Sequence, residues 1–452
     1  MREDWVECKL GDLITLKNGF AFKSDKYTDE GIPVLRIGDI NDFKAVTTKA
    51  QRVIENAEYD DYVVNKGDIL IAMSGATTGK FGVYNSNEKA YQNQRVGNLI
   101  PNSKRFLDKN FIFYLLYSLK REIEKQAYGG AQPNISAKKI EELDTILAPL
   151  PIQRAIVQKI ESYFDLLNKG IAELKTAQEQ LKIYRQAVLK KAFEGEFTAT
   201  AYNRKDRVCP VSKEENNLPK GWKWVKLKEV AEINPKLPNK EEIDSLLEVQ
   251  FLPMKLVEEE INKIHLIETK LFHEVQKGSY TPFIENDVIF AKVTPCMENG
   301  KIAIMKNLKN EIGYGSSEFH VIRCKNDVLN TYVFHYVVQA KFRKEAEMQM
   351  TGAVGLRRVP KKFLEDYQIP LPPTLNEQHA IVREIESRLS VCDKVEESIS
   401  ESLEKAEALR QSILKKAFEG KLLSEEEIAK CKQETDYEPA SVLLERIKKE
   451  KN

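Results

Sequence analysis

A long segment with helical character occurs twice in this chain. Residues 155–197 align without a gap on residues 380–422 at a constant offset of 225, and 17 of the 43 positions are identical. A repeat of about half the chain length indicates one structural unit that is used twice. Such a duplication suits a partner with two-fold character, and duplex DNA is the first candidate.

Both copies of the segment carry apolar residues at every seventh position, which is typical of a coiled-coil seam. The predicted seam consists of Ile160, Leu167, Leu174, Leu181 and Val188 in the first copy and of Ile385, Cys392, Ile399, Ala406 and Ile413 in the second. Interleaved apolar positions predicted to join it are Phe164, Ile171, Tyr184, Leu389, Val395, Leu403 and Leu409. At 1.5 Å per residue, each helix spans roughly 65 Å.

The repeat extends into the residues that precede each helix. The matching segments are Trp5–Leu13 with Trp222–Val230 and Gly79–Lys80 with Gly300–Lys301. Short β-rich runs are Val34–Ile37, Asp68–Met73, Val288–Val293 and Phe319–Arg323, and helical stretches are Phe111–Glu124 and Tyr332–Met348. The sequence therefore predicts an α+β fold, with two mixed α/β domains separated by two long helices.

The two long helices are predicted to run antiparallel. A domain of about 150 residues has a radius of gyration of about 15 Å, so it does not easily carry the chain back along a much longer helix. The second helix then starts where the first stops, and a pseudo-two-fold axis relates the halves. Two independent helices, each packed on its own domain, are the alternative. The predicted boundaries are 1–151 for domain 1, 152–197 for helix 1, 198–221 for a linker, 222–372 for domain 2, 373–422 for helix 2 and 423–452 for a tail. A short docked helix is predicted within the tail at Ala440–Lys451, with Val442, Leu443 and Ile447 on its apolar side.

The distribution of charge favours nucleic-acid binding, although the net charge of the whole chain is only +1. Residues 62–140 hold 12 Lys/Arg against 5 Asp/Glu, whereas residues 1–61 hold 9 against 13. In the second half, residues 287–362 hold 13 against 7, and residues 218–286 hold 10 against 12. A local basic face is what contact with DNA phosphates requires. Chance clustering of charge on solvated surfaces is the alternative.

The sequence predicts a cytoplasmic protein that does not associate with membranes. No apolar run approaches the ~20 residues that a membrane helix needs, and the acidic N-terminus has no signal-peptide core. The 6 cysteines are scattered without a CxxC pair, which argues against a disulfide framework or a zinc site.

Motifs for catalysis are missing from the sequence. The loop Ser74–Lys80 is similar to a phosphate-binding loop, but it has three residues between its glycines where that motif needs four, and Phe81 follows the lysine. There is no GxGxxG segment, no Asn-Pro-Pro-aromatic segment of the type amino-methyltransferases use, and no Pro-Asp dipeptide to begin a common nuclease motif. The 5 histidines show no metal-ligand spacing. We therefore expect no catalytic residues, no metal site and no cofactor held by this chain.

Polar loops make the chain better suited to binding DNA. Asn and Gln suit adenine, Arg suits guanine, and Ser, Thr and Lys can reach phosphates or base edges. The candidate DNA-contacting residues of the first half are Ser74, Thr77, Thr78, Lys80, Asn93, Gln94, Arg95, Gln132 and Asn134. Those of the second half are Lys292, Thr294, Asn299, Lys301, Ser316, Ser317, Arg357 and Arg358. Lys80 and Lys301 are the predicted phosphate contacts, and ordinary turn chemistry is the alternative for any single residue.

The order of these segments resembles the specificity (S) subunit of type I restriction–modification systems over nearly the whole chain. The segments that carry the resemblance are Gly75–Lys80, Gln132–Ser136, Leu218–Trp222, Glu298–Lys301, Pro370–Gln378 and Glu438–Leu444. The halves differ at one place, because the first lacks four residues that the second has between Pro372 and Gln378. This difference predicts a tighter start of the first long helix.

The resemblance implies a DNA-recognition subunit without catalytic activity. Each domain would be a target-recognition domain that reads one half of a bipartite, asymmetric DNA site, and the helices would set the gap. Two methyltransferase (M) subunits using S-adenosylmethionine would dock on the helices, and motor–nuclease (R) subunits using ATP and Mg²⁺ would complete the complex. The alternatives are a coiled-coil adaptor between proteins without DNA readout, and a stand-alone DNA methyltransferase or nuclease with diverged motifs.

Overall fold

The chain forms two compact units. The computed structural model describes residues 2–41, 43–127, 133–197, 218–259, 263–266, 268–353 and 355–451. The first unit comprises Met1–Leu174 together with Glu401–Asn452, and the second comprises Lys175–Ser400. Most of the predicted linker, residues 198–217, lies outside the described residues. Among the described residues, no helix combines the length and the apolar character that crossing a membrane requires.

The first unit contains three β-sheets. Its strands are β1 Val6–Lys9, β2 Ile14–Asn18, β3 Ile32–Leu35, β4 Ile40–Asn41, β5 Phe43–Ala45, β6 Arg52–Val53, β7 Val63–Val64, β8 Ile69–Ala72, β9 Phe81–Tyr84, β10 Ala90–Gln92, β11 Val96–Pro101 and β12 Asp144–Leu147. They form a six-stranded sheet in the order β2-β11-β8-β9-β5-β4, a four-stranded sheet in the order β6-β3-β10-β7, and the pair β1-β12. Strand β8 is buried at all four positions, which fits its continuous apolar sequence.

Helices cover the sheets of the first unit. They are Leu10–Leu13, Lys109–Ala127, Ala137–Glu141, the start of a long helix Leu150–Phe193, the end of a second long helix Leu375–Phe418, Glu425–Cys431 and Ala440–Lys451. The helix Lys109–Ala127 buries Phe111 and Leu115, one turn apart, in the main core of the unit. That core also contains apolar residues of both long helices and of the tail.

The predicted tail helix is confirmed at Ala440–Lys451. It docks on the first unit, where the Ala440 N–H donates to Asp4 O at 3.1 Å. Leu443 and Ile447 are buried as predicted, but Val442 is exposed and Leu444 is buried in its place. The prediction for Val442 was wrong because the buried face of the helix contains Leu443, Leu444 and Ile447, and Val442 lies outside this face.

The second unit also contains three β-sheets. Its strands are β13 Lys223–Lys226, β14 Ala231–Ile233, β15 Glu248–Leu252, β16 Glu268–Leu271, β17 Thr281–Ile284, β18 Val288–Ala291, β19 Ile302–Ile304, β20 Ile312–Gly315, β21 Phe319–Cys324 and β22 Gln368–Leu371. The sheets have the orders β14-β21-β18-β19, β16-β15-β20-β17 and β13-β22. Its shorter helices are Leu227–Val230, Phe272–Val275, Asn330–Val337, Ala340–Met348 and Lys361–Asp366. Short 3₁₀ turns of the two units are Ser24–Lys26, Ile37–Asp39, Ala57–Tyr62, Lys240–Glu242, Met254–Leu256 and Lys309–Glu311.

The two units repeat the same sheet topology. The order β14-β21-β18-β19 corresponds to β2-β11-β8-β9, and β16-β15-β20-β17 corresponds to β6-β3-β10-β7. In the matched sheets β6-β3-β10-β7 and β16-β15-β20-β17, the two central strands are parallel. The first unit adds β5 and β4 at one sheet edge. The predicted α+β fold with an internal repeat is therefore confirmed.

Within each unit, the two long helices pack in opposite directions. In the first unit, the hydrogen bond from Arg410 to Asn168 joins the end of the second helix to the first half of the other. In the second unit, Arg185 lies 2.7 Å from Asp393 and 2.9 Å from Glu396. In both units a late part of one helix thus lies against an early part of the other, as an antiparallel pair requires.

The ten residues of the predicted seam are all buried or half-buried. Fully buried are Ile160, Val188, Ile385, Cys392, Ile399 and Ile413, and half-buried are Leu167, Leu174, Leu181 and Ala406. Of the interleaved positions, Phe164 is buried, and Ile171, Leu389 and Leu403 are half-buried. Tyr184, Val395 and Leu409 are exposed, so their assignment to the seam was wrong. All ten seven-residue positions and four of the seven interleaved positions are therefore shielded from solvent.

The predicted helix Tyr332–Met348 is divided in two. Asn330–Val337 and Ala340–Met348 are separate helices, because Gln339 adopts extended backbone angles of φ −61° and ψ 142°. The Gln339 side-chain N–H donates to Tyr336 O at 3.2 Å, which satisfies one carbonyl group at the end of the first helix.

The predicted four-residue deletion before the first long helix was also wrong. Val6 pairs with Leu147 and Lys223 pairs with Leu371, so the strands before the helices are offset by 224. The helices start at residues 150 and 375, an offset of 225. The connection between the preceding strand and the first long helix is thus one residue shorter than the one before the second long helix. The repeated Pro-Leu-Pro motif misled the alignment, since residues 150 and 151 are helical whereas residues 370 and 371 lie in β22.

Candidate nucleic-acid interface

The loop after strand β8 exposes Lys80 on a glycine framework. Gly75 and Gly79 have φ angles of 81° and 86°, in the left-handed region that glycine adopts most easily. The Lys80 side chain is exposed, and the described residues provide no hydrogen bond or ion pair to it. The ammonium group is therefore available to an anion.

The two threonines of this loop point inward. Thr77 Oγ1 donates to Ile37 O at 3.1 Å. Thr78 is only 2% exposed, and its hydroxyl lies 2.6 Å from Gly75 O and 3.0 Å from Pro133 O. The prediction that Thr78 contacts DNA is corrected, because its hydroxyl is buried and bonded to the backbone. Both threonines hold the loop in place.

The loop Asn93–Arg95 lies beside the first one. Asn93 Oδ1 accepts a hydrogen bond from Arg95 N at 3.2 Å, which closes a tight turn. The side chains of Gln94 and Arg95 are exposed. Among the described residues neither side chain has a hydrogen-bond partner, so both are free to contact a ligand.

A third segment completes this surface at Pro133–Ser136. Asn134 is exposed and forms an isolated β-bridge with Ser74. The Ser74 hydroxyl is buried and has no hydrogen-bond partner within the part of the chain that the structure describes. Gln132, a predicted contact, lies outside the described residues.

We call this surface the first edge and define it by residues 73–80, 93–95 and 133–136. Two open clefts run along it, with volumes of about 570 Å³ and about 370 Å³. Gln94 and Arg95 line both clefts. Eight of the nine candidates predicted for the first half belong to these segments, and the ninth is Gln132.

The second unit builds the corresponding surface with the same backbone hydrogen bonds. We call it the second edge and define it by residues 292–301, 316–318 and 357–360. In the first edge the bonds are Met73 N to Arg95 O (2.9 Å), Gly75 N to Pro133 O (3.0 Å), Ile135 N to Met73 O (2.9 Å) and Ala72 N to Lys80 O (2.8 Å). In the second edge they are Lys292 N to Glu318 O (2.9 Å), Thr294 N to Arg357 O (3.1 Å), Val359 N to Lys292 O (2.8 Å) and Ala291 N to Lys301 O (3.0 Å). Each position joined by these hydrogen bonds therefore has a defined counterpart in the other edge.

Arg358 and Glu318 form an ion pair in the second edge. Arg358 Nε and Nη2 donate to the two carboxylate oxygens of Glu318 at 2.8 Å and 2.7 Å. The Arg358 guanidinium lowers the pKa of Glu318, so this carboxylate stays ionised near neutral pH. Arg358, a predicted DNA contact, is thus paired with a carboxylate that is not among the predicted contacts.

Lys292 is tied to the same edge. Its ammonium donates to Ser317 O at 2.6 Å, and burial lowers the pKa of Lys292. Ser317 itself is exposed. Ser316 Oγ accepts from Glu318 N at 3.2 Å, so this predicted contact closes a turn. Arg357 is half-buried and lies 3.8 Å from a carboxylate oxygen of Glu347.

Three further predicted contacts of the second edge are engaged within the protein. Thr294 Oγ1 donates to Glu298 at 2.9 Å. The exposed Asn299 donates to Glu259 at 2.9 Å. Lys301 is half-buried, and its ammonium lies 3.4 Å from a backbone carbonyl oxygen. The two predicted phosphate contacts therefore differ, because Lys80 is exposed and Lys301 is partly engaged.

Sequence reasoning missed two residues that belong with these edges. Arg36 lines the smaller cleft of the first edge. Glu318 is acidic, whereas the residue types predicted to contact DNA are cations, amides and hydroxyls. Its position directly after Ser317 was the available signal. Within the described residues, no group of three or more His, Cys, Asp or Glu could hold a metal ion.

The chain contains two copies of one α/β domain and two long antiparallel helices. Each copy presents polar and basic side chains on its edge. These features are typical of a recognition protein with two binding domains. The type I restriction modification DNA specificity domain matches residues 2–176 and 219–405. These two matches cover most of the chain, so the chain belongs to this family.

Several type I restriction enzyme specificity subunits are similar to this chain. It is 35% identical to the EcoAI subunit of Escherichia coli over 293 residues, which are 55% of this chain and 48% of that protein. It is 30% identical to the EcoEI subunit of Escherichia coli over 381 residues, which are 74% of this chain and 59% of that protein. The chain thus spans about half to three-fifths of these two relatives. It is 25% identical to the Escherichia coli EcoDI subunit over 464 residues, covering 99% of this chain and 95% of that protein.

Solved structures share the fold. A chain from a structure of a type I R-M system superposes with a TM-score of 0.68 at 17% identity, covering 93% of this chain and 99% of that chain. The HsdS subunit from Thermoanaerobacter tengcongensis superposes with a TM-score of 0.54 at 18% identity, covering 93% and 98%. These likenesses support the fold of the two repeated domains.

Proposed function

We propose that this chain is the DNA-reading subunit of a type I restriction–modification complex. Each unit reads one half of a bipartite, asymmetric DNA site through its edge. The long helices set the gap between the halves and provide the docking surface for methyltransferase subunits. The chain itself carries out no chemistry, in keeping with the recognition role of its family.

The observation that carries this proposal is the matched pair of edges. The same backbone hydrogen bonds hold three segments together in both units, while the side chains on this frame differ. At one matched position the first edge has Arg95 and the second has Glu318. A common frame with different side chains is what two readers of unlike sequences require, since base contacts depend on side-chain chemistry.

The partners and cofactors are part of the proposal. Two methyltransferase subunits would supply S-adenosylmethionine-dependent transfer to adenine, and motor–nuclease subunits would supply ATP- and Mg²⁺-dependent translocation and cleavage. The complex would act in the cytoplasm, where it meets cellular and invading DNA.

Methylome sequencing tests the proposal. The chain is expressed together with the proposed methyltransferase subunit in a host without other methylation, and the control omits this chain. We expect a bipartite methylated motif with two unlike halves, present only when the chain is present. A motif that persists in the control, or a palindromic motif, would contradict the proposal.

Two further outcomes identify the alternatives. Methyl transfer or cleavage by the purified chain alone would make it an enzyme. A complex of methyltransferase and this chain that binds no duplex DNA in a gel shift would make it a protein–protein adaptor.

A further inference from the structure

Two matched positions carry different chemistry in the two edges. The carbonyl groups of Arg95 and Glu318 accept the same strand-end hydrogen bond in their respective units. Asn134 and Arg358 each form the isolated β-bridge with the loop that follows the central strand. Position 95 therefore corresponds to 318, and position 134 corresponds to 358.

In the first edge, both side chains face solvent. Arg95 and Asn134 are exposed, and their side chains make no hydrogen bond to any described residue. A free carboxamide can donate to N7 and accept from the N6 amino group of adenine at the same time. Asn134 thus has the chemistry and the exposure of an adenine reader.

In the second edge, the guanidinium of Arg358 is held from one side. Its Nε–H and one Nη2–H donate to Glu318. A guanidinium has five N–H groups in a rigid plane, so both Nη1 hydrogens and the second Nη2 hydrogen remain. One Nη1–H and the second Nη2–H point in parallel away from the terminal end of the guanidinium. This geometry matches the O6 and N7 acceptors of guanine. The Arg358 side chain is 40% exposed, so this end can be reached.

Glu318 contributes by fixing the direction of Arg358. A lone carboxylate on a DNA-binding surface repels phosphates, whereas both oxygens of this carboxylate are occupied by Arg358. Holding the guanidinium in one orientation reduces the conformational entropy that is lost on binding.

We propose that the matched residues Asn134 and Arg358 each read one base of a half-site, an assignment that rests on the proposed function. Asn134 specifies adenine in one half-site, and Arg358 specifies guanine in the other. Glu318 is a positioning residue for Arg358.

An exchange of the paired residues tests this assignment. The second edge receives Glu318→Arg with Arg358→Asn, and the first edge receives Arg95→Glu with Asn134→Arg. The assembled complex of each variant selects duplexes from a randomised DNA pool. We expect one guanine of the second half-site to become adenine in the first variant, and one adenine of the other half-site to become guanine in the second. The wild-type preference at each position, about ten- to a hundredfold, is lost, and the other half-site and the gap are unchanged.

A single substitution separates positioning from direct contact. Glu318→Gln should lower the guanine preference by about tenfold while raising affinity for DNA without a site, because a negative charge is removed. Arg358→Ala should lower both the guanine preference and the affinity for DNA without a recognition site. Lys277→Asn, which removes an exposed cation of the same unit outside the edge, is the control and should leave the selected motif unchanged. Thermal unfolding of every variant verifies folding.

The outcomes distinguish this inference from the proposed function. A wild-type complex that selects no common sequence counts against the proposed function itself. A wild-type bipartite motif that stays unchanged in both exchange variants overturns only the assignment of positions 134 and 358. A change caused by Glu318→Gln at a different base from the one altered by Arg358→Ala overturns the positioning role.

Discussion

Replacing Lys80 with alanine tests whether the first edge contacts a DNA phosphate. The Lys80 ammonium is exposed and unengaged by the described residues. Lys301, at the matched position, is half-buried and lies 3.4 Å from Met254 O. Because an engaged ammonium must give up that contact before it binds phosphate, we expect the loss of one phosphate contact in Lys80→Ala and a smaller loss in Lys301→Ala.

The size of the effect follows from counterion release. One phosphate contact on duplex DNA contributes about 0.9 to the slope of log K against log salt concentration. Between about 50 and 200 mM salt, the affinity advantage of the wild type over Lys80→Ala should therefore shrink about 3.5-fold. The loss of affinity should be the same on every sequence, since a phosphate carries no base information.

Fluorescence anisotropy of the assembled complex measures this slope. The assay uses two DNA duplexes. The first contains the recognition motif found by methylome sequencing, and the second contains the same bases in a scrambled order. Identical slopes for the wild type and Lys80→Ala would refute the phosphate contact, and a changed base preference at unchanged slope would place Lys80 on a base. Equal slope changes for Lys80→Ala and Lys301→Ala would refute the difference between the two lysines. Lys277→Ala is the control for an exposed cation elsewhere.

Stability predictions follow from packing and burial. Gly170→Ala should raise the free energy of unfolding by about 0.5–1 kcal/mol in urea titrations, because the added methyl meets nothing within 4 Å in a helix, whereas Gly97→Ala, whose methyl would lie 2.6 Å from a side chain, should lower it. Asp287→Ala should cost about 3–5 kcal/mol by the same measurement, because it removes the partner, at 2.7 Å, of the Arg323 guanidinium and leaves this largely buried cation unpaired. Burial lowers the pKa of His335 to about 4. The folded state therefore binds fewer protons than the unfolded state between that value and about 6.5, and stability should fall by up to about 3 kcal/mol as pH drops through this range. Thermal unfolding from pH 7 to pH 4 measures this loss, His335→Phe should reduce it, and an unchanged pH profile in that variant would contradict the assignment.

The sequence was informative where local periodicity determines the structure. The seven-residue spacing predicted the long helices, and the repeated segments predicted two similar domains. It was misleading where a local motif recurs in a different backbone setting. Pro149-Leu150-Pro151 and Pro370-Leu371-Pro372 have the same letters, but the first begins a helix and the second ends a strand. Identity of residue type does not specify backbone conformation over such short segments.

The arrangement of the edges could not be read from the sequence, because it depends on strand order. Glu318 and Arg358 are 40 residues apart, and they meet only because the segment around residue 358 bridges to the loop after β18. Thr78 looked like a surface hydroxyl in a polar loop, yet it is buried because two carbonyl groups converge on it. Long-range contacts of this kind decide which side chains remain free.

The backbone frame explains how two copies of one domain can read different bases. Main-chain hydrogen bonds hold each edge, and they form irrespective of the side chains that the residues carry. Exposed residues such as Arg95 and Asn134 can therefore change without loss of the frame, whereas Thr78 cannot, since its hydroxyl is part of the frame. This distinction ranks the candidate residues for engineering: substitutions at 95, 134, 318 and 358 should redirect recognition, and substitutions at 78 should unfold the loop. A Thr78→Val variant that kept both its motif and its affinity would refute this division, because it would show that the frame does not need the hydroxyl.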